Sequence, residues 1–122
     1  MAVTTTTASN PLVTTVVLDE TADLTVETVA TANCTLYAVE IVNPNATEAV
    51  YLHVFNAAGN SVVSAQHTHQ FYCPASTSCY YYMPAGYTIT TGIEFYASTS
   101  AGGGSSATAP TDAVTVKFGF TL

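Results

Sequence analysis

A chain of 122 residues with 48% apolar side chains is long enough to bury a single core that removes about two-thirds of its unfolded surface from water. Eight carboxylates face one basic side chain, Lys117, and the resulting charge of -7 excludes the Lys and Arg clusters that hold nucleic-acid phosphates or anionic membranes. Charged residues make up only 7% of the chain, so most of the surface must be hydroxyl, amide, phenol and backbone, which lose less on desolvation than unpaired charges do.

Residues 1–13 are Thr-rich, contain Pro11 and show no sustained period, so they read as an extended arm that is ordered only where it lies on a neighbour, followed by one domain over residues 14–122. The first residues also lack the basic start and apolar run of a signal peptide, and no stretch approaches the ~18 apolar residues of a membrane span. The chain is therefore expected to be made and kept in the cytoplasm, with Cys34, Cys73 and Cys79 reduced. Cys73 and Cys79 nevertheless bracket a stretch, 74–78, short enough for a bridge to close.

A first strand is expected over residues 14–18. Asp19, Glu20, Asp23 and Glu27 then crowd a turn, which is either a solvated acidic loop or a calcium site, although the Asp-x-Asn/Asp-x-Asn/Asp-Gly scaffold of a calcium loop is absent. Alternation over 24–29 predicts a half-buried strand carrying Leu24 and Val26. Residues 36–42 and 50–55 are two apolar runs joined by Asn43-Pro44-Asn45-Ala46-Thr47-Glu48-Ala49, read as a β-hairpin with an extended connection. The second run is apolar on both faces: Val50, Leu52 and Val54 on one, Tyr51, His53 and Phe55 on the other. One cover is the core; the other is expected to be a second subunit, which places Tyr51, His53 and Phe55 at a subunit interface.

A turn at 57–60 leads to one strand somewhere within 62–72. There His67-Thr68-His69 would place two imidazoles on one strand face, and three such pairs about a threefold axis would make an octahedral cage for a transition metal; polar histidines on a loop or interface are the plainer reading. Tyr80-Tyr81-Tyr82-Met83 is too apolar for a solvated strand face. Tyr80 and Tyr82 are expected at the subunit interface, with a sugar-stacking platform as the other possibility. Pro84-Ala85-Gly86 carries a type II turn signal and leads into a strand over 87–91, Ile93, Phe95 and Ala97 share a face, and residues 98–112, with Gly102-Gly103-Gly104, form a surface loop. Alternation is cleanest at the end, with Val114, Val116, Phe118 and Phe120 inward and Thr115, Lys117 and Thr121 outward.

No helical period is present. Seven to nine short strands with frequent turn signals imply an all-β, antiparallel sandwich, a jelly roll of about eight strands. No nucleophile elbow, His-Glu-x-x-His or paired carboxylates in an aromatic cleft point to an enzyme, and no cofactor is called for.

The succession Leu36-Tyr37, Val42-Asn43, Val50-Tyr51-Leu52-His53-Val54-Phe55-Asn56-Ala57-Ala58, Met83-Pro84-Ala85-Gly86, Gly92-Ile93-Glu94-Phe95 and Ala113-Val114-Thr115-Val116-Lys117-Phe118 resembles the small jelly-roll decoration, or cement, proteins of tailed-bacteriophage capsids. The resemblance covers about residues 24–122. It implies a homotrimer on the outside of the virion shell, bound to the major capsid protein, with Thr4, Thr5, Thr6, Thr7 and Pro11 of the arm reaching to the capsid. The insertion over 64–82, rich in His, Cys and Tyr, departs from the family's pattern. A fibre or receptor-binding head that faces a host glycan is the alternative.

Overall fold

The computed structural model of the chain describes residues 3–7, 15–59, 67–101 and 107–122. Its strands are β1 (Val3–Thr7), β2 (Thr15–Ala22), β3 (Glu27–Ala30), β4 (Cys34–Asn43), β5 (Val50–Asn56), β6 (His69–Cys73), β7 (Thr77–Ile89), β8 (Ile93–Ser98) and β9 (Val114–Thr121). No helix occurs among the described residues. A five-stranded sheet of order β1-β2-β9-β4-β7 faces a four-stranded sheet of order β3-β8-β5-β6, every pairing being antiparallel. The expected all-β sandwich is thus the fold. The pairs β2:β9, β3:β8, β4:β7 and β5:β6 nest inside one another like the two arms of a long hairpin wound into two layers, an order that jelly rolls share.

The core lies between the layers. From the five-stranded sheet come Val17, Leu36, Val39, Ile41, Val116, Phe118 and Phe120, and from the other Leu52, Val54, Ile93 and Phe95, all at most 1% exposed. Phe95 and Phe118 meet across the layers with ring centroids 5.0 Å apart. The alternation predicted for β9 holds residue by residue: its inward side chains are buried, while Thr115 and Thr121 are half-buried and Lys117 is exposed.

Three expectations are corrected. The runs at 36–42 and 50–55 are not a hairpin, because β4 pairs with β7 and β9 whereas β5 pairs with β6 and β8. Their connection is a corner between the sheets, built on two buried asparagines that satisfy backbone groups the corner leaves unpaired. Asn43 Nδ2 donates to the carbonyls of Glu48 (2.9 Å) and Pro74 (3.0 Å), and Asn43 Oδ1 accepts from Asn45 N (3.0 Å) and Asn45 Nδ2 (2.8 Å). Asn45 in turn grips Asp112 twice, Nδ2 donating to its carbonyl (2.9 Å) and Oδ1 accepting from its N–H (2.7 Å). Three connections, β4–β5, β6–β7 and β8–β9, are tied together by these two side chains.

The near-isosteric Asn45→Asp removes both Nδ2 donors and sets a carboxylate against two oxygen acceptors. It is expected to destabilise the fold by about 3 kcal/mol, read as a drop in the urea midpoint at unchanged m-value. An unchanged midpoint would mean that the corner does not depend on this side chain.

The second correction concerns Pro84-Ala85-Gly86, which does not end a strand but bulges within β7. Between the pairs Leu36↔Tyr87 and Ala38↔Tyr82, β4 advances two residues and β7 five. Gly86 sits at φ 76°, and a Cβ there would lie 2.5 Å from Thr35 Cγ2, so the bulge needs glycine. The third is the strand expected over 24–29, which begins only at Glu27; Leu24 and Val26 are half-buried in the connection before it.

The arm is extended over Val3–Thr7, but it adds to its own chain's β2 (Thr4↔Leu18, Thr6↔Val16) rather than lying on a neighbour. Pro11 lies outside the described residues, as do Thr14, residues 62–66 and Gly102 to Gly104. The strand expected somewhere within 62–72 is β6, which begins at His69 and runs one residue past Tyr72.

Candidate interaction face

Strand alternation gives each sheet an outer face, and the two differ. On the four-stranded sheet the cross-strand rows are Thr28–Glu94–Phe55, Tyr96–His53–Gln70 and Ser98–Tyr51–Tyr72. This is the face on which a second subunit was expected. Its centre is closed within the single chain, where His53, Tyr96 and Ser98 are fully buried, Glu94 is 2% exposed and Phe55 4%, while Thr28, Gln70 and Tyr72 on the edge strands are exposed. Tyr51 is half-buried and packs against Tyr72 at 5.3 Å. His53 and Phe55 therefore cannot form a subunit interface in this conformation, and the two-sided apolar character of β5 has an intramolecular cause.

His53 lies at the centre of this layer, stacked on Tyr96 with centroids 4.5 Å apart and planes 18° apart. Its Nε2 is 2.9 Å from Ser98 Oγ and its Nδ1 3.2 Å from His67 Nδ1. Ser98 Oγ donates to Ser100 O (3.0 Å), so the bond to His53 is made by Nε2–H, leaving Nδ1 to accept from His67. Burial, reinforced by His67, lowers the His53 pKa to about 4. A Ser–His–His line invites comparison with a hydrolytic triad, but the imidazole carries its proton on the nitrogen that faces the hydroxyl, and both groups are sealed from solvent.

His67 and His69 do not share a face. Thr68 N–H donates to Val54 O (2.8 Å) and Thr68 Oγ1 accepts from Asn56 N–H (3.0 Å), which bends the chain between the two imidazoles. His67 turns to His53, and His69 points between the sheets onto the edge of Tyr87 at 4.3 Å. Among the described residues no three His, Cys, Asp or Glu side chains come together as a metal site. The acidic turn also divides: Asp19 is buried, accepts from Thr21 N–H (2.9 Å) and has its pKa raised by burial, while Asp23 accepts from Thr25 N–H (2.8 Å) in an exposed turn.

The outer face of the five-stranded sheet is open. Its rows are Tyr80–Glu40–Lys117–Leu18–Thr4 and Tyr82–Ala38–Gly119–Val16. Tyr80 and Tyr82 are 56% and 71% exposed, with rings parallel to within 5° and centroids 6.3 Å apart. Beside them Ala38 and Gly119 form a low shelf. The one ion pair on this face among the described residues, Lys117 Nζ to Glu40 Oε2 at 3.6 Å, is half exposed on the lysine side and contributes little to stability. Glu40 also pushes the Tyr80 phenol pKa upward. Thr4 is exposed on β1 at the far edge of this face, while Thr5, also exposed, pairs with Val17 on the other side of the sheet.

Of the residues expected at an interface, Tyr80 and Tyr82 are thus available, and His53 and Phe55 are not. Sequence periodicity marked both sets as too apolar for water, but it held no sign of which set the chain's own connections would cover. Comparison of the chain with protein-family models, with curated proteins and with solved structures yields no match.

Proposed function

We propose that the chain is a structural virion protein, a capsid decoration or cement protein that binds the outer capsid surface as a homotrimer and stabilises the shell. In this reading it has no catalytic role, and its partners are copies of itself and the major capsid protein. The observation that carries the reading is the open face bearing Tyr80 and Tyr82: phenol, methyl and backbone with a single ion pair, a surface that a partner dries with little loss. The resemblance in sequence and the nested strand order support the same class.

Tyr51, His53 and Phe55 leave the proposed interface, and Thr4 on β1 extends it. Stabilisation is by linkage: contacts of roughly 2,000 Å2 formed only on the assembled shell favour that state over any that lacks them. The test is co-sedimentation with purified capsids. Wild-type protein is expected to bind and to raise the burst threshold, whereas Tyr80→Ala with Tyr82→Ala should weaken binding about 10- to 100-fold without moving the melting temperature. Failure of the wild type to bind capsids would reject the reading.

A fibre or receptor-binding head is the second reading, favoured by the two exposed, parallel rings beside the Glu40 carboxylate. Selective binding on a glycan array, with loss in the same double variant, would favour it.

A further inference from the structure

The layers meet along one side at β6 and β7, the edge strands of the two sheets. Phe71 of β6 packs on Tyr81 of β7 at 5.1 Å, and the Tyr81 hydroxyl donates to Tyr72 O. Next along this seam is a pair of thiols. Cys73 ends β6 on the inner side of one sheet, and Cys79 faces inward from β7 opposite Ile41. The Cys73 Sγ lies 3.1 Å from Thr77 O and 3.8 Å from the carbonyl of Ile41, the residue that Cys79 faces across the β4–β7 ladder.

We infer that Cys73 and Cys79 form a thiol–disulfide couple, a modification site at which oxidation clamps the two sheets together along the β6–β7 seam. Both cysteines thus converge on Ile41, one from each of the adjoining edge strands, which is the proximity a bridge demands. No other pairing competes. Cys34 lies opposite Ile89 at the far end of β4, seven residues or about 23 Å along the strand from Ile41.

Accessibility sets the order of events. Cys73 is fully buried and Cys79 half-buried, so Cys79 meets the oxidant first. With oxidised glutathione, the Cys79 thiolate attacks one sulfur, forms a mixed disulfide and releases one glutathione thiolate. Cys73, once deprotonated, attacks the Cys79 sulfur and expels the second glutathione. Two protein thiols are thereby oxidised and one glutathione disulfide is reduced to two thiols. Burial, with Cys79 alongside, pushes the Cys73 thiol up to about 12, so this second step is slow at neutral pH and accelerates with alkalinity. The inference is independent of capsid binding.

Folded protein incubated with excess oxidised glutathione at mildly alkaline pH is the direct test. The expected result is a fall in titratable thiols from three to one, a mass loss of two hydrogens and a single cross-linked peptide joining Cys73 to Cys79, with the melting temperature raised by roughly 5–10 °C. Cys79→Ser, at the half-buried position, should abolish all of these, whereas Cys34→Ala should keep the cross-link, its thiols falling from two to none. Retention of three thiols, a mixed disulfide that never resolves, or a bridge that includes Cys34 would each overturn the inference. The peptide map is read on the wild type and so does not depend on whether a variant folds.

Discussion

Phe55→Asp is expected to unfold the isolated chain, not to release folded monomers from an assembly. Phe55 is 4% exposed and packs on Tyr96 at 5.8 Å, so removing the ring forfeits about 3–5 kcal/mol of burial and packing. The new carboxylate would be buried directly across the ladder from Glu94, itself 2% exposed. An uncompensated buried charge adds roughly several kcal/mol more, and the sum approaches the whole ~5–15 kcal/mol by which a domain is stable. Circular dichroism should show loss of the cooperative melt, with aggregated or expanded material on sizing with light scattering. The exposed Tyr82→Asp is the control and should melt like the wild type. A folded, monomeric Phe55→Asp variant would refute the closed outer layer.

The second large effect is a loss of stability in mild acid, centred on His53. Its pKa in the folded chain is lowered to about 4, first by burial and then by His67, whereas in the unfolded chain it returns to about 6.5. Below pH 6.5 the unfolded state therefore takes up a proton that the folded state refuses. The contribution is complete above pH 6.5 and is lost as the pH falls towards 4, by roughly 3 kcal/mol in all. His69, lowered by burial and by His67, acts in the same direction. Asp19 and Glu27 act oppositely, since burial raises both carboxyls and the folded state gains from their protonation in the carboxylate range. The His53 effect should thus be clearest between pH 6.5 and 5. Urea titrations across that window should give a slope of about one proton, and His53→Phe, which keeps a ring on Tyr96, should flatten it. Stability independent of pH there in the wild type, or an unchanged slope in the variant, would contradict the placement of His53.

What could be read in advance follows from how far each signal reaches. The alternation of Val114, Val116, Phe118 and Phe120 is a period-2 pattern within one strand, and it places every side chain on the correct side. Which strand lies beside β4 is a different matter, because two apolar runs and a seven-residue connection serve a hairpin and a sheet-to-sheet corner equally well. Asn43 and Asn45 decide it through the carbonyls of Pro74 and Asp112 and the N–H of Asp112, far away in sequence. The same holds for Pro84-Ala85-Gly86: the local preference for a turn is satisfied, but pairing with β4 resumes on either side, so the result is a bulge. At β5 the inference that both faces need cover was sound; the chain covers the second face itself.

The nested strand order has a consequence for biosynthesis. β9 is translated after the other eight strands of the described residues, yet it occupies the middle of its sheet, between β2 and β4. A nascent chain that has not yet reached Val114 presents β2 and β4 as two open ladders with nothing to bridge them, so this sheet cannot close until β9 has left the ribosome. Truncation before β9 would remove the keystone and leave strand edges prone to pairing with other chains.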